Sequence, residues 1–245
     1  MKSGLNKRVR RELGRAVHDW QMIADNDRIL VGVSGGSDSQ ALLYLLDALQ
    51  KKAPVAFELV PVHIDPGFPE SFAPDLKADV EARFGELHVE KTNFGILAHS
   101  EENRANPCFL CARLRRQRLF ELAKEKGCNK IALGHNKDDL IETLFINICY
   151  AGKIGTMKPR QSFFNGLLEI IRPLSYVEKS DITAFSNLFE LQTFDNPCPS
   201  AGSTKRSEVR DMLETMYKQN KHIKGNIFRA MGNIAQDYLL EKRHD

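Results

Sequence analysis

The sequence is poor in cysteine and tryptophan, with five of the first and one of the second among 245 residues. Five thiols are too few for a disulfide scaffold of this length. The opening Met-Lys-Ser-Gly-Leu-Asn-Lys-Arg lacks the apolar core of a secretion signal, so a reducing, cytoplasmic setting is expected. There, clustered cysteines serve metal binding or catalysis. No apolar run approaches the ~20 residues that span a bilayer, so no membrane partner is expected. No internal repeat and no low-complexity tract is present. Charge of one sign is not in large excess either: 35 Lys and Arg stand against 32 Asp and Glu, a net +3. At 42% hydrophobic and 27% charged residues the composition is that of a globular protein, not a disordered or fibrous one. The length suits one large α/β domain, or one domain with a small appendage.

The apolar pattern predicts a helix over 5–25, with Leu5, Val9, Leu13, Val17, Trp20 and Ile23 on one face and Lys7, Arg8, Arg10, Arg11 and Arg15 outside. Ile29 to Val33 reads as a strand buried on both sides, followed by a loop and a helix reaching Lys51. Strands follow at 57–62, 87–90, 130–133 and 168–171, with helices at 76–84, from 114 to a stop at Gly127, and at 139–150. Residues 92–107 read as irregular, and 178–191 and 204–240 as helices. Strands alternating with helices predict an α/β fold, a Rossmann-like parallel sheet with helices on both faces and helical extensions at both ends. The expected domains are a basic N-terminal helix (1–27), a core (28–200) and a C-terminal helical extension (201–245).

The most specific signal is the loop Ser34-Gly35-Gly36-Ser37-Asp38-Ser39 between the first strand and its helix. Adjacent glycines let the backbone turn tightly and present N–H groups to an anion. The following helix adds its unpaired N–H groups and the positive end of its dipole, and Ser34, Ser37 and Ser39 add hydroxyls. Together they form a cradle for phosphate or pyrophosphate. The loop has neither the Gly-Lys-Ser/Thr of the nucleoside triphosphatases nor the Gly-x-Gly-x-x-Gly of dinucleotide folds. Asp38 needs a reason to stand beside phosphates: a bridging cation, or a helix-capping role.

Cys108 and Cys111 form a Cys-x-x-Cys pair, followed directly by Arg113, Arg115, Arg116 and Arg118. A helix start and four arginines favour thiolate. Zinc, redox and iron–sulfur roles all remain open for such a pair. Cys198, also in an Asn-Pro-Cys context, is the third candidate, whereas Cys128 and Cys149 beside apolar runs read as buried, inert thiols. Gly134, His135, Asp138 and Asp139 follow the fourth strand at the end where open α/β sheets bind ligands. Asp138 and Asp139 could equally cap the next helix. His63 or Asp65, toward the end of the second strand and beyond it, is a candidate for adenosine or a metal, with loop capping by Asp65 as the alternative. His18, His88, His99, His222 and His244 show no ligand spacing.

These features carry a resemblance. The loop resembles the pyrophosphate loop of the ATP pyrophosphatase superfamily. Over most of its length the chain resembles the tRNA 2-thiocytidine synthetases (the TtcA family), through Cys108-Phe-Leu-Cys111-Ala-Arg-Leu-Arg-Arg, Ile131-Ala-Leu-Gly-His135-Asn-Lys-Asp138-Asp139, Thr143-Leu-Phe-Ile-Asn147, Ile171-Arg-Pro-Leu174, Pro197-Cys198 and Asp211-Met-Leu213. The resemblance implies an ATP-dependent tRNA sulfurtransferase. It assigns Ser34, Gly35, Gly36, Asp38 and Ser39 to the pyrophosphate and Mg²⁺, and the segment with Gly134, His135 and Asp139 to ATP and the acceptor; Ser37, by its place in the loop, and Asp65, by its place at a strand end, are further candidate ATP contacts. It assigns Cys108, Cys111 and Cys198 to a [4Fe–4S] cluster with one open iron, and makes Asp38, Cys108 and Cys198 the candidate catalytic residues. The implied reaction adenylates the C2 oxygen of a tRNA cytidine, at position 32, and replaces it with sulfur carried on the cluster or as a persulfide. A cysteine desulfurase or another sulfur donor is the implied partner, and a homodimer is left open. A thiolase for another base or a small molecule, or a lysidine-synthetase-like ligase, is the alternative. Three features depart from the pattern. Ser37 stands where many members have lysine, so another basic group must supply that charge. Ala201 stands where many have a fourth cysteine, and the segment from Cys198 to Lys205 is shortened.

The small net charge hides an uneven distribution. Residues 112–126 hold six basic and two acidic side chains, the first 28 hold seven and four, and 204–245 hold nine and six. These segments are the expected tRNA footing, with Arg113, Arg115, Arg116, Arg118, Lys205 and Arg206 as candidate contacts.

Overall fold

The computed structural model describes residues 2–103, 107–200 and 205–240; Ala201, one of the departures noted above, lies outside them. Six strands form one sheet: β1 (Asp27–Gly32), β2 (Phe57–Asp65), β3 (His88–Lys91), β4 (Lys130–Ala132), β5 (Arg160–Phe163) and β6 (Leu168–Ile171). Their order is β3-β2-β1-β4-β6-β5, parallel throughout except that β5 pairs antiparallel with β6. The helices are α1 (Lys2–Asp19), α2 (Ser37–Gln50), α3 (Ala73–Phe84), α4 (Phe94–Ala98), α5 (Pro107–Glu125), α6 (Lys137–Ala151), α7 (Lys179–Leu188), α8 (Lys205–Gln219) and α9 (Ile223–Ala230). None of these helices is long and apolar enough to cross a membrane.

Successive residues of β1 enter opposite faces, because strand side chains alternate. Ile29, Val31 and Val33 join Leu42, Leu46 and Phe185 in one core, while Leu30 joins Val62, Leu122, Ile131 and Ile170 in the other. Both faces are therefore apolar, which is why β1 reads as an unbroken hydrophobic run. Each fully buried leucine or isoleucine stabilises the fold by about 1.5–3 kcal/mol.

The described residues form two compact units. One comprises those up to Asp138 together with 158–200; the other comprises 139–157 and those from Lys205 onward. The second unit has its own core, in which Ile141, Val209 and Leu213 are buried against Phe145, Met216, Ile227 and Phe228.

Several expected boundaries move. The first helix ends at Asp19, not at 25, because Gln21 takes a left-handed φ of 46° and the N–H of Met22 turns back to the Val17 carbonyl. The stretch 92–107 contains α4, a further turn at 101–103 and the first residue of α5. β5 adds an antiparallel edge to the expected parallel sheet. Its Arg-Gln-Ser-Phe sequence has no apolar run, since none of its residues is fully buried. Cys149 is exposed on α6, not buried, whereas Cys128 is buried as expected.

Candidate functional site

The chain runs from β1 outward to β3 on one side and from β4 to β6 on the other, so the strand order reverses between β1 and β4. Such a switch point opens a crevice at the carboxyl ends of the two strands, where α/β sheets take their ligands. The loop Ser34–Ser39 leaves β1 at this point, and Gly134–His135 leaves β4 beside it.

The loop holds its shape through Ser39. Its hydroxyl accepts from the Ser34 N–H (3.0 Å) and donates to the Gly36 carbonyl (2.9 Å), and its oxygen lies 3.1 Å from the Ser34 hydroxyl. Ser39 thus closes the cradle from within. Gly35 has a left-handed φ of 85°, and a Cβ there would come within 2.6 Å of the Phe72 ring. Phe72 stacks on Phe194 at 5.3 Å, and the Phe194 N–H donates to the Gly35 carbonyl (3.0 Å). Gly36 precedes α2 with no side chain capping it. The helix therefore begins without the Ser or Asp cap that an ordinary strand-to-helix turn would use.

Asp38 does not stand alone. Lys179, the first residue of α7, brings its Nζ to 2.8 Å from each Asp38 carboxylate oxygen and 3.1 Å from the Ser37 hydroxyl. The Lys179 N–H in turn donates to Asp138 (2.8 Å), and Lys137 pairs with Glu178 (3.0 Å), so the starts of α6 and α7 are tied reciprocally. Asp138 thus serves α7, and it is Asn136 that accepts the Asp138 N–H at the start of α6. Sequence spacing could not reveal Lys179, which lies 141 residues from Asp38.

Gly134 packs against the loop's own helix: a Cβ would lie 3.1 Å from the Asp38 carbonyl carbon and the Ser39 nitrogen. The neighbouring His135 accepts at Nδ1 from the Arg172 Nε (3.3 Å). Arg172 is buried at the end of β6, and burial, with Arg116 nearby, pushes its pKa down to about 10. Asp65 is buried, and its two oxygens accept from the Gly67 N–H (2.9 Å) and the Ser71 hydroxyl (2.7 Å), the loop-capping arrangement. Asp139 falls in the second unit, where Arg206 reaches it at 3.3 Å and Glu142 at 3.2 Å.

Cys108, Cys111 and Cys198 are all free thiols, the first exposed and the others half-buried. Cys111 lies within electrostatic reach of both other thiols and of Arg115. Burial pushes the Cys111 thiol up against the pull of Arg115, the reverse of the thiolate-favouring helix start expected from the sequence. His99 also belongs to this cluster. Its Nδ1 donates to the Gly95 carbonyl (2.8 Å), leaving Nε2 as an acceptor 2.9 Å from the Ser200 hydroxyl and 3.7 Å from Cys198 Sγ. Its position 99 residues from Cys198 hid it from spacing arguments.

Among the described residues, no three His, Cys, Asp or Glu side chains close on a single metal ion. A zinc ion needs its thiolates about 2.3 Å from one point. A polynuclear iron–sulfur cluster instead takes separate cysteines on separate irons, and three neighbouring but non-chelating thiols fit that donor set. Mg²⁺ fits Asp38 less directly, because Lys179 already occupies both oxygens. Mg²⁺ commonly rides on substrate phosphates with few protein ligands, and that is the arrangement this site can accept.

Of the candidate arginines, Arg118 is held by Glu90 (2.9 Å), Glu121 (3.1 Å) and Glu125 (2.7 Å). Lys205 pairs with Glu208 (3.1 Å) and Arg206 with Asp139 and Glu142. Arg113 and Arg116 are exposed and make no ion pair among the described residues.

A family model described as a PP-loop domain matches residues 5–216. The tRNA-cytidine(32) 2-sulfurtransferase of Geotalea daltonii is 39% identical over 246 residues, covering 99% of this chain and 98% of that protein. Its counterpart from Alcanivorax borkumensis is 42% identical, covering 98% and 85%. Among solved structures, the U34-tRNA thiolase NcsA from Methanococcus maripaludis, determined with its [4Fe-4S] cluster, superposes with a TM-score of 0.77 at 23% identity, covering 99% of this chain and 83% of that one. The NH3-dependent NAD synthetase from Campylobacter jejuni shares the fold more loosely, at a TM-score of 0.53 and 16% identity over 98% and 99% of the two chains. Both structural likenesses speak to the fold, while the sequence relatives extend over nearly the whole chain. The glycine loop at the switch point, the family model and these full-length relatives agree, and the chain belongs to the tRNA-cytidine(32) 2-sulfurtransferase family of PP-loop proteins.

Proposed function

We propose that this protein is an ATP-dependent tRNA thiolase that converts a cytidine, at position 32, to 2-thiocytidine. The observation that carries the reading is the presence, in one compact unit, of an anion-cradling loop at the switch point and three free thiols, of which Cys111 lies within electrostatic reach of Cys108 and Cys198. The names of the relatives support the choice of base and position.

ATP, arriving with Mg²⁺ on its phosphates, lies with its pyrophosphate portion on Ser34–Ser39. Backbone N–H groups and the α2 dipole stabilise the charge that develops as pyrophosphate leaves. The cytidine C2 oxygen attacks the α-phosphorus, pyrophosphate departs, and the oxygen becomes part of an AMP leaving group. Sulfur at the sulfide level then adds at C2 as HS⁻, loses its proton, and AMP departs with the original oxygen, leaving the C2 thiocarbonyl. Cys108, Cys111 and Cys198 would hold a [4Fe–4S] cluster, which would supply a place to carry the incoming sulfur. Phe72 and Phe194 beside Gly35 keep that edge of the loop apolar, which helps keep water from the activated base.

The test has two arms. Transfer RNA from a strain deleted for this gene should lack 2-thiocytidine and regain it with the wild-type gene; unchanged 2-thiocytidine would remove the assigned substrate. Anaerobically reconstituted protein should bind iron and sulfide, and Cys108→Ala, Cys111→Ala and Cys198→Ala should each lower both. Stoichiometric zinc without iron would remove the cluster.

A further inference from the structure

A carboxylate inside a phosphate cradle repels the ligand the cradle is built for. Between Ser34 and Ser39 there is no Lys or Arg, and Asp38 is the one charged side chain. Phosphate loops of the nucleoside triphosphatases meet the need with a lysine within the loop that reaches the β- and γ-phosphates. Here the cation comes from elsewhere in the chain. Lys179 Nζ lies 2.8 Å from both oxygens of Asp38 and 3.1 Å from the hydroxyl of Ser37. Its backbone is anchored by Asp138, so the side chain starts from a fixed point. Its side chain stays 45% exposed and that of Asp38 28%, which leaves the ammonium open to an incoming ligand. An ammonium carries three protons and accepts nothing, so it can keep Asp38 and take an anion at the same time.

We propose that Lys179 is the phosphate-binding lysine of this loop, supplied by α7: it neutralises Asp38 in the nucleotide-free protein and pairs with the pyrophosphate portion of ATP when ATP binds. The inference rests on reading Ser34–Ser39 as the nucleotide site. It also explains how Ser37 is tolerated, since a lysine at 37 would bring a second ammonium to where Nζ already sits. A lysine within the loop and Lys179 are therefore alternative solutions to one electrostatic requirement.

Isothermal titration calorimetry with ATP and with inorganic pyrophosphate, on protein without tRNA, tests this. Lys179→Ala should bind both about 10- to 100-fold more weakly, the loss expected of one charge-assisted hydrogen bond. Adding Ser37→Lys to Lys179→Ala should restore most of that affinity, whereas Ser37→Lys alone should weaken binding. A Lys179→Ala protein that binds both ligands as the wild type does would overturn the proposal. So would a double variant no better than Lys179→Ala, which would leave Lys179 as a clamp between α7 and α2. Wild-type protein that binds neither ligand would overturn the nucleotide-site reading along with it.

Discussion

The imidazole of His63 is only 3% exposed, on β2, and its Nδ1 donates to the Val33 carbonyl (2.8 Å) just ahead of the glycine loop. Burial lowers its pKa from the ordinary 6.5; the Val33 bond and Asp65 pull upward, and Arg115 pushes further down. The unfolded chain therefore takes up a proton that the folded protein resists. The stability this withholds is intact above about pH 6.5 and is lost as pH falls below it towards the folded value. His63→Asn keeps an N–H near the Val33 carbonyl but cannot titrate. Its urea midpoint should thus change less than the wild type's between about pH 7.5 and about pH 5.5. Equal changes in both proteins would assign the acid sensitivity to other groups. At this scale the sequence points to candidate residues for the chemistry, but not to their charge state or partners. Cys108, Cys111 and Cys198 stand out in the sequence as candidates by the Cys-x-x-Cys pair and by the Asn-Pro-Cys contexts of Cys108 and Cys198. That burial outweighs Arg115 at Cys111, and that His99 faces Cys198, depends on packing between segments some ninety to a hundred residues apart, which no local spacing encodes.

Elements meet closely where β4 ends against the start of α2. Gly134 allows this approach, for a Cβ there would stand 3.1 Å from two backbone atoms of Asp38 and Ser39 that cannot swing away as a side chain would. Gly134→Ala must push the β4 loop away from the phosphate loop. The expected cost is about 1–3 kcal/mol in urea unfolding, as for other overpacked sites, with weaker ATP binding by the folded fraction. Unchanged stability and affinity would show that the two elements have slack. The alternation of strand and helix was readable for the buried strands, because a sheet covered on both faces leaves continuous apolar runs such as Ile29–Val33. What stayed hidden were elements without such a run. β5 is a short, half-exposed edge, and α4 is five residues between turns. The C-terminal half of β2 was hidden for another reason: His63 and Asp65 are polar, yet buried and satisfied. The reciprocal tie of α6 to α7, which aims Lys179, joins residues some 41 positions apart and becomes visible only once both helices are placed.

For the molecule as a whole, the number of basic residues overstates the charge available to RNA. Arg8 of α1 pairs with Asp181 of α7, while Arg11 and Arg15 share Glu12. Arg118 is drawn in by three carboxylates, which raise its already high pKa further, and Arg206 is taken by Asp139 and Glu142. A paired guanidinium has already exchanged its counterion for a carboxylate, so it has little to release when a phosphate arrives. Arg113 and Arg116 differ: both are exposed on α5, on the helix that carries Cys108 and Cys111, and neither is paired among the described residues. Salt dependence separates the two kinds. In a plot of log affinity for tRNA against log salt, Arg113→Ala and Arg116→Ala should each reduce the slope by about 0.7 to 0.9, the value of one neutralised phosphate. Arg118→Ala should leave the slope unchanged even if it lowers stability by releasing Glu90, Glu121 and Glu125. A slope that falls equally for all three variants would mean that the ion pairs of Arg118 open on binding. A slope that falls for none would move the tRNA footing off α5.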